Sequence, residues 1–148
     1  MSKFDMYINE LKKHKNVIEN IFETFERIYE IPIKEKDVED LINLNITLLD
    51  SLAYRFSKFQ DTLGKAIKVW FYLKGENVDN LTIIDVINLA EKIGFSINKD
   101  IWWRCRSIRN RISHEYEEDY SKIALVINDI YELFPILKKV LNELEDKK

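Results

Sequence analysis

Apolar residues recur at three- and four-residue steps along most of this chain, the mark of helices that each bury one face. Phe4, Ile8, Leu11, Ile18, Ile21, Phe22, Phe25 and Ile28 set that period first. They predict a helix from Ser2 to Tyr29, ended by Pro32. Val38, Leu41, Leu48, Leu52, Phe56, Phe59, Leu63, Ile67 and Trp70 continue it and predict a second long helix from Glu35 to Leu73, with Gly75 as its C-terminal cap. Gly64 interrupts nothing in that pattern; its missing side chain marks a place for another helix or chain to come close. A shorter helix is predicted after Thr82, whose hydroxyl caps it while Asp85 sits in the first turn, and it ends at Gly94. Asn98 caps a fourth helix, and a fifth runs from Tyr120 to Glu145, with Pro135 expected to kink or divide it. The expected fold is all-α, an antiparallel up-and-down bundle of four to five helices with short connections, in a single domain spanning residues 1–148.

Composition narrows the picture. The 148 residues are 46% hydrophobic and 33% charged, a mix that suits a soluble globular domain with a sizeable core. Only 3 Gly and 2 Pro occur, too little punctuation for a multi-stranded β fold. A net charge of −3 argues against coating nucleic acid through bulk positive charge. The basic residues are focused instead: Arg104, Arg106, Arg109 and Arg111 fall in one stretch, and Glu115, Glu117, Glu118 and Asp119 follow directly. The lone Cys105 permits no disulfide within the chain, so a reducing cytoplasm is the expected compartment. The residues Met1 to Asp5 hold no apolar signal core, and no apolar run approaches membrane-spanning length.

The densest chemistry lies in Arg109-Asn110-Arg111-Ile112-Ser113-His114-Glu115-Tyr116. A guanidinium is a permanent planar cation able to grip phosphate bidentately. An imidazole titrates near neutral pH and can move a proton. On an ideal wheel of roughly 100° per residue, Ile101, Cys105, Ile108 and Ile112 form an inward apolar stripe. Arg109 and Ser113 lie on its shoulder, and Asn110 and His114, one turn apart, project away. Arg109 and His114 differ by roughly 140° on that wheel, so one regular helix does not aim both at one atom. Either the helix loosens before His114, or two chains face each other across a dyad and share one cleft.

No metal constellation is visible: His14 and His114 are far apart, and no His-Glu-x-x-His or paired-cysteine spacing occurs. No Gly-rich phosphate loop and no Gly-x-Ser-x-Gly elbow occur either. No cofactor is expected. RNA cleavage needs none, because the ribose 2′-hydroxyl is its own nucleophile.

The string Arg109 to Tyr116 resembles the Arg-x4-6-His signature of HEPN domains, and its Arg-x4-His-x-Tyr form resembles the HepT-like toxins encoded beside a small MNT-type nucleotidyltransferase antitoxin. A second stretch, Tyr54-Arg55-Phe56-Ser57-Lys58-Phe59-Gln60-Asp61-Thr62-Leu63-Gly64, is similar to the Arg-Phe…Gln-Asp…Gly string of that family's long second helix. The resemblance implies a homodimer joined through the signature helix and a metal-independent endoribonuclease leaving a 2′,3′-cyclic phosphate. His114 would then act as general base or acid, Arg109 would stabilise phosphate charge in the transition state, and Asn110 would orient either one. It also implies that the transferase partner attaches AMP to Tyr116, blocking the cleft by occupancy and charge. Arg106, Arg111, Ser113, Arg55 and Lys58 are candidate RNA contacts.

Each of these residues also has a plainer role open to it. Arg104, Arg106 and Arg111 suit ion pairs or solvated charges, Arg55, Lys58 and Asp61 suit helix-surface pairing as well as a cleft, and His14 suits a surface position. Trp102 and Trp103 suit packing or a dimer contact as well as base stacking. Two other function classes stay open: a non-catalytic substrate-binding or regulatory subunit of a minimal nucleotidyltransferase, and a helical interaction protein whose signature is structural.

Overall fold

The computed structural model describes residues 1–113 and 119–147, and these are helical with no strand. The described residues form α1 (Lys3–Ile28), α2 (Glu35–Leu44), α3 (Ile46–Leu73), α4 (Ile83–Lys92), α5 (Lys99–Ser113) and α6 (Tyr120–Asp146). Six helices therefore stand where four to five were expected.

The added element comes from the expected helix over 35–73, which divides at Asn45, where φ is −142° and ψ is 40°. The residues Asn43 to Thr47 explain the weakness, since two asparagines and the β-branched pair Ile46-Thr47 are all poor helix formers. The break has a use. α2 packs against α6, whereas α3 packs along α1, and one straight rod could not serve both partners.

Pro135 has the opposite outcome. α6 runs from Tyr120 to Asp146 as one helix with Pro135 inside it, so of the expected kink or division the division does not occur. Pro135 is exposed, so the missing hydrogen bond falls on the solvent side. The buried face on either side, with Ile130, Leu133, Phe134, Leu137, Val140 and Leu141, keeps the two halves in register.

The predicted caps form: Thr82 and Asp85 make a reciprocal capping box, and at the start of α1 the Ser2 hydroxyl, not predicted as a cap, accepts from the Asp5 N–H. The Asn98 side chain accepts from the Ile101 N–H at 2.9 Å and starts α5. Gly75 adopts φ +88° beyond the end of α3, a left-handed conformation that a side chain would strain.

The core is one cluster whose largest fully buried side chains are Phe25, Phe56, Phe59 and Phe134. Phe59 meets Phe134 edge-on with ring centres 5.2 Å apart, tying α3 to α6. Polar clasps fix the connections. The Asn128 amide donates to the Ile33 carbonyl at 2.9 Å and accepts from its N–H at 2.8 Å. The Glu143 carboxylate accepts from both the N–H and the hydroxyl of Ser96, holding the segment that leads into α5. Among the described residues no helix is long and apolar enough to cross a membrane.

Candidate functional site

α5 sits against α3, α4 and α6, and its phase is set from the inside. Trp102, Cys105 and Ile108 are buried, and Ile101 is half-buried. The predicted inward stripe is therefore present as far as Ile108. Trp102 lies over Gly64 of α3. A Cβ at Gly64 would stand 2.9 Å from the indole Cη2 and 3.2 Å from Ile83 Cδ1, so the glycine is what lets α3 and α5 close up. Beside this contact Gln60 is fully buried. Its amide donates to the Cys105 carbonyl at 3.3 Å and accepts from the Arg106 N–H at 3.2 Å, so α3 grips the α5 backbone directly. Gln60 was not among the predicted site residues. Its signal was present, since it is one turn from Phe56 and from Leu63 on the apolar side of α3.

Burial also fixes the chemistry of Cys105. Loss of solvent pushes its thiol up to about 12, with only slight opposition from the nearby Arg104 charge. A neutral, enclosed thiol is a packing group and not a nucleophile.

The arginines of α5 go to different neighbours. Arg109 donates to Asp61 of α3 at 2.6 Å, which brings the two motif-bearing stretches into direct contact. Arg111 donates to Asp129 of α6 at 2.7 Å, and Arg104 pairs with Glu132 of α6 at 3.1 Å. These two match the plainer ion-pair role. Arg106 has no acidic partner within ion-pair distance among the described residues.

The solvent side of α5 carries an open depression of about 350 Å³ lined by Trp103, Arg106, Ser107, Asn110 and Arg111. Arg109 is absent from that lining. Arg109 therefore belongs to the α3 side of the helix and Asn110 to its solvent side, as a 100° step between neighbours requires. His114 and Tyr116 lie outside the described residues, as do the side chains of Ile112 and Ser113. Their meeting with Arg109, and any role in modification, is not part of this geometry.

Of the predicted contacts on α3, Arg55 is engaged with α1. Its guanidinium is 3.1 Å from His14 Nδ1 and 5.5 Å from the Tyr54 ring centre. Lys58 Nζ is 5.7 Å from the same ring. His14 is thus half-buried against Arg55 and not the plain surface residue that its sequence position suggested. Burial lowers its pKa, Arg55 and Lys58 add to the shift, and Glu10 opposes it. Since a guanidinium only donates, Nδ1 is the acceptor and the proton of the neutral ring sits on Nε2.

Among the described residues no three of His, Cys, Asp and Glu come together as a metal site. No family model, no curated protein and no solved structure matches the chain.

Proposed function

We propose that this protein is a metal-independent endoribonuclease of the HEPN type, acting in the cytoplasm as the toxin of a pair with an MNT-type nucleotidyltransferase. One observation carries the reading. The two stretches that resemble this family, 54–64 and 109–116, are distant in sequence and meet through Arg109–Asp61, while Gly64 and Gln60 of the first stretch hold Trp102 and the backbone of Cys105 and Arg106, just ahead of the second on the same helix. Contact between the two stretches is what a shared site built from both would require.

In this reading His114 takes the proton of a ribose 2′-hydroxyl. O2′ then forms a bond to the adjacent phosphorus, the bond to the 5′-oxygen breaks, and that oxygen takes a proton from water while the His114 imidazolium returns its own proton to solvent. The products are a 2′,3′-cyclic phosphate and a 5′-hydroxyl. Arg109 balances the charge that builds on the phosphate oxygens. Its bond to Asp61 fixes the guanidinium before substrate arrives and uses only one part of a five-donor fork. Because Arg109 and His114 diverge on a regular helix, the cleft is completed either by loosening of the chain before His114 or by a second copy across a dyad. Adenylylation of Tyr116 by the transferase would place a phosphodiester beside these groups and silence the site.

The test is digestion of total RNA by purified, unmodified protein in the presence of a chelator. The wild-type chain is expected to cut and leave cyclic phosphate ends, and His114→Ala is expected to abolish cutting with helix content unchanged. Retained cutting in that variant rejects the role of His114. The Arg109–Asp61 pair also fits a second reading, a non-catalytic binding subunit of the transferase in which the pair only braces α5 against α3. Stable complex formation with the transferase, without RNA cleavage by the free protein, would favour that reading.

A further inference from the structure

Three of the four arginines of α5 are tied to carboxylates: Arg104 to Glu132, Arg109 to Asp61 and Arg111 to Asp129. Arg106 is the exception among the described residues, and it lines the depression on the solvent side of the helix. Three residues before it, on the same helical surface, Trp103 leaves 52% of its surface exposed, whereas its neighbour Trp102 is 3% exposed. An indole face and a guanidinium with no acidic partner among the described residues, one turn apart, match a flat ring that carries a phosphate. The space of about 350 Å³ is at the small end of ligand sites, enough for one such unit.

We infer that the α5 depression holds one nucleotide of a single-stranded RNA, its base against Trp103 and its phosphate on Arg106. The Ser107 hydroxyl, on the same lining, is placed to meet the sugar or base edge. This assignment rests on the ribonuclease reading and supplies it with a substrate-holding surface. The depression lies on α5, the helix that also carries Arg109 and the first residues of the Arg109–Tyr116 stretch. The lining favours RNA over a second copy of the chain. Among the described residues it presents the Arg106 guanidinium, the Arg111 guanidinium already held by Asp129, a hydroxyl, an amide and an aromatic ring, and no carboxylate. Self-association faces are more apolar than this, and two copies in direct contact would oppose Arg106 to like charge. A polyanion satisfies the Arg106 guanidinium, and aromatic stacking accepts any base.

The test uses a fluorescein-labelled, 2′-O-methylated octanucleotide, which binds but cannot be cut. Fluorescence anisotropy is expected to show about tenfold weaker binding for Trp103→Ala, the usual order of loss when a stacking platform is removed. Trp103→Phe should largely keep the affinity. Arg106→Gln should weaken binding and reduce its dependence on salt by about one phosphate contact. Arg104→Gln, already paired to Glu132, should bind as wild type. Wild-type affinity in both Trp103→Ala and Arg106→Gln, or no binding by the wild-type chain, would overturn the inference. So would displacement of the oligonucleotide by equimolar AMP or UMP, which would assign the site to free nucleotides. A change of oligomeric state in Trp103→Ala without loss of oligonucleotide binding would reassign the face to contact between copies. Because the probe cannot be cut, the two readings separate. An inactive protein that binds through Trp103 keeps this site and loses the ribonuclease; an active nuclease indifferent to Trp103 does the reverse.

Discussion

Trp102 and Trp103 are adjacent in sequence and have opposite fates. Trp102 sits in the seam between α3 and α5, over a glycine in close contact with it; Trp103 is half-exposed beside Arg106, which has no acidic partner among the described residues. The difference is one residue of helical phase, roughly 100°. It teaches how the helix is divided: one side is fixed by packing and by the Gln60 clasp, and that fixation determines which side chains remain for chemistry on the other. A chemical face is only as well defined as the seam behind it.

The sharpest way to break this contrast is to truncate each indole in turn. Trp102→Ala is expected to lower unfolding free energy by about 4 kcal/mol, since it removes a large buried ring and leaves a cavity. Trp103→Ala should stay within about 0.5 kcal/mol of wild type, as surface changes usually do. Urea denaturation of the two variants measures both. Equal losses would mean that the two rings are equally packed.

The arginines on the two sides give the next contrast. Arg109→Gln and Arg111→Gln each remove a half-exposed ion pair and should each cost at most about 1 kcal/mol of stability. Cleavage should separate them, with a loss of about 100-fold or more for Arg109→Gln and little change for Arg111→Gln. Parallel behaviour in rate assays would remove Arg109 from the reaction.

Gly64→Val attacks the seam from the α3 side. A branched side chain meets a rigid indole and Ile83 where even a Cβ has too little room, so a loss of about 2–3 kcal/mol is expected. A thermal melt as stable as wild type would show that the seam can open without cost.

The smallest effects are in pH and reactivity. The folded chain holds the His14 pKa below 6.5, so the unfolded chain takes up that proton first as pH falls. His14 therefore contributes stability that is present above about pH 6.5 and is lost as pH falls through the lower folded value. His14→Gln should flatten the stability profile between about pH 7.5 and 5 by a small amount; an unchanged slope would mean that neither burial nor the Arg55 contact biases the ring. Cys105, enclosed and pushed up to about 12, should ignore thiol reagents at about pH 8 until denaturant is added.

Much of this architecture was readable from spacing alone. The helical period placed α1 and α6, Thr82 and Asn98 announced their caps, and Gly64 announced a close approach that Trp102 fulfils. These signals are local or depend on one face of one element. What the chain concealed depends on partners. The break at Asn45 reflects two different surfaces to be covered, by α6 and by α1. Pro135 remains inside α6 because buried neighbours outweigh one lost bond. The inward stripe of α5 was visible, but which tryptophan joined it depended on the glycine across the seam. Likewise, four clustered arginines look equivalent in a string, and among the described residues the carboxylates of α3 and α6 pair with three of them and leave Arg106 aside.

The central claim is that Arg109 and His114 act on one phosphate. Single-turnover cleavage of a defined RNA oligonucleotide by wild type, Arg109→Ala, His114→Ala and the double variant tests it most directly. Groups that work as a unit are strongly non-additive, so each single variant should fall nearly as far as the double, to a common residual rate. Single-variant losses that multiply to give the double, or a double variant that still cuts at the wild-type rate, would contradict the account.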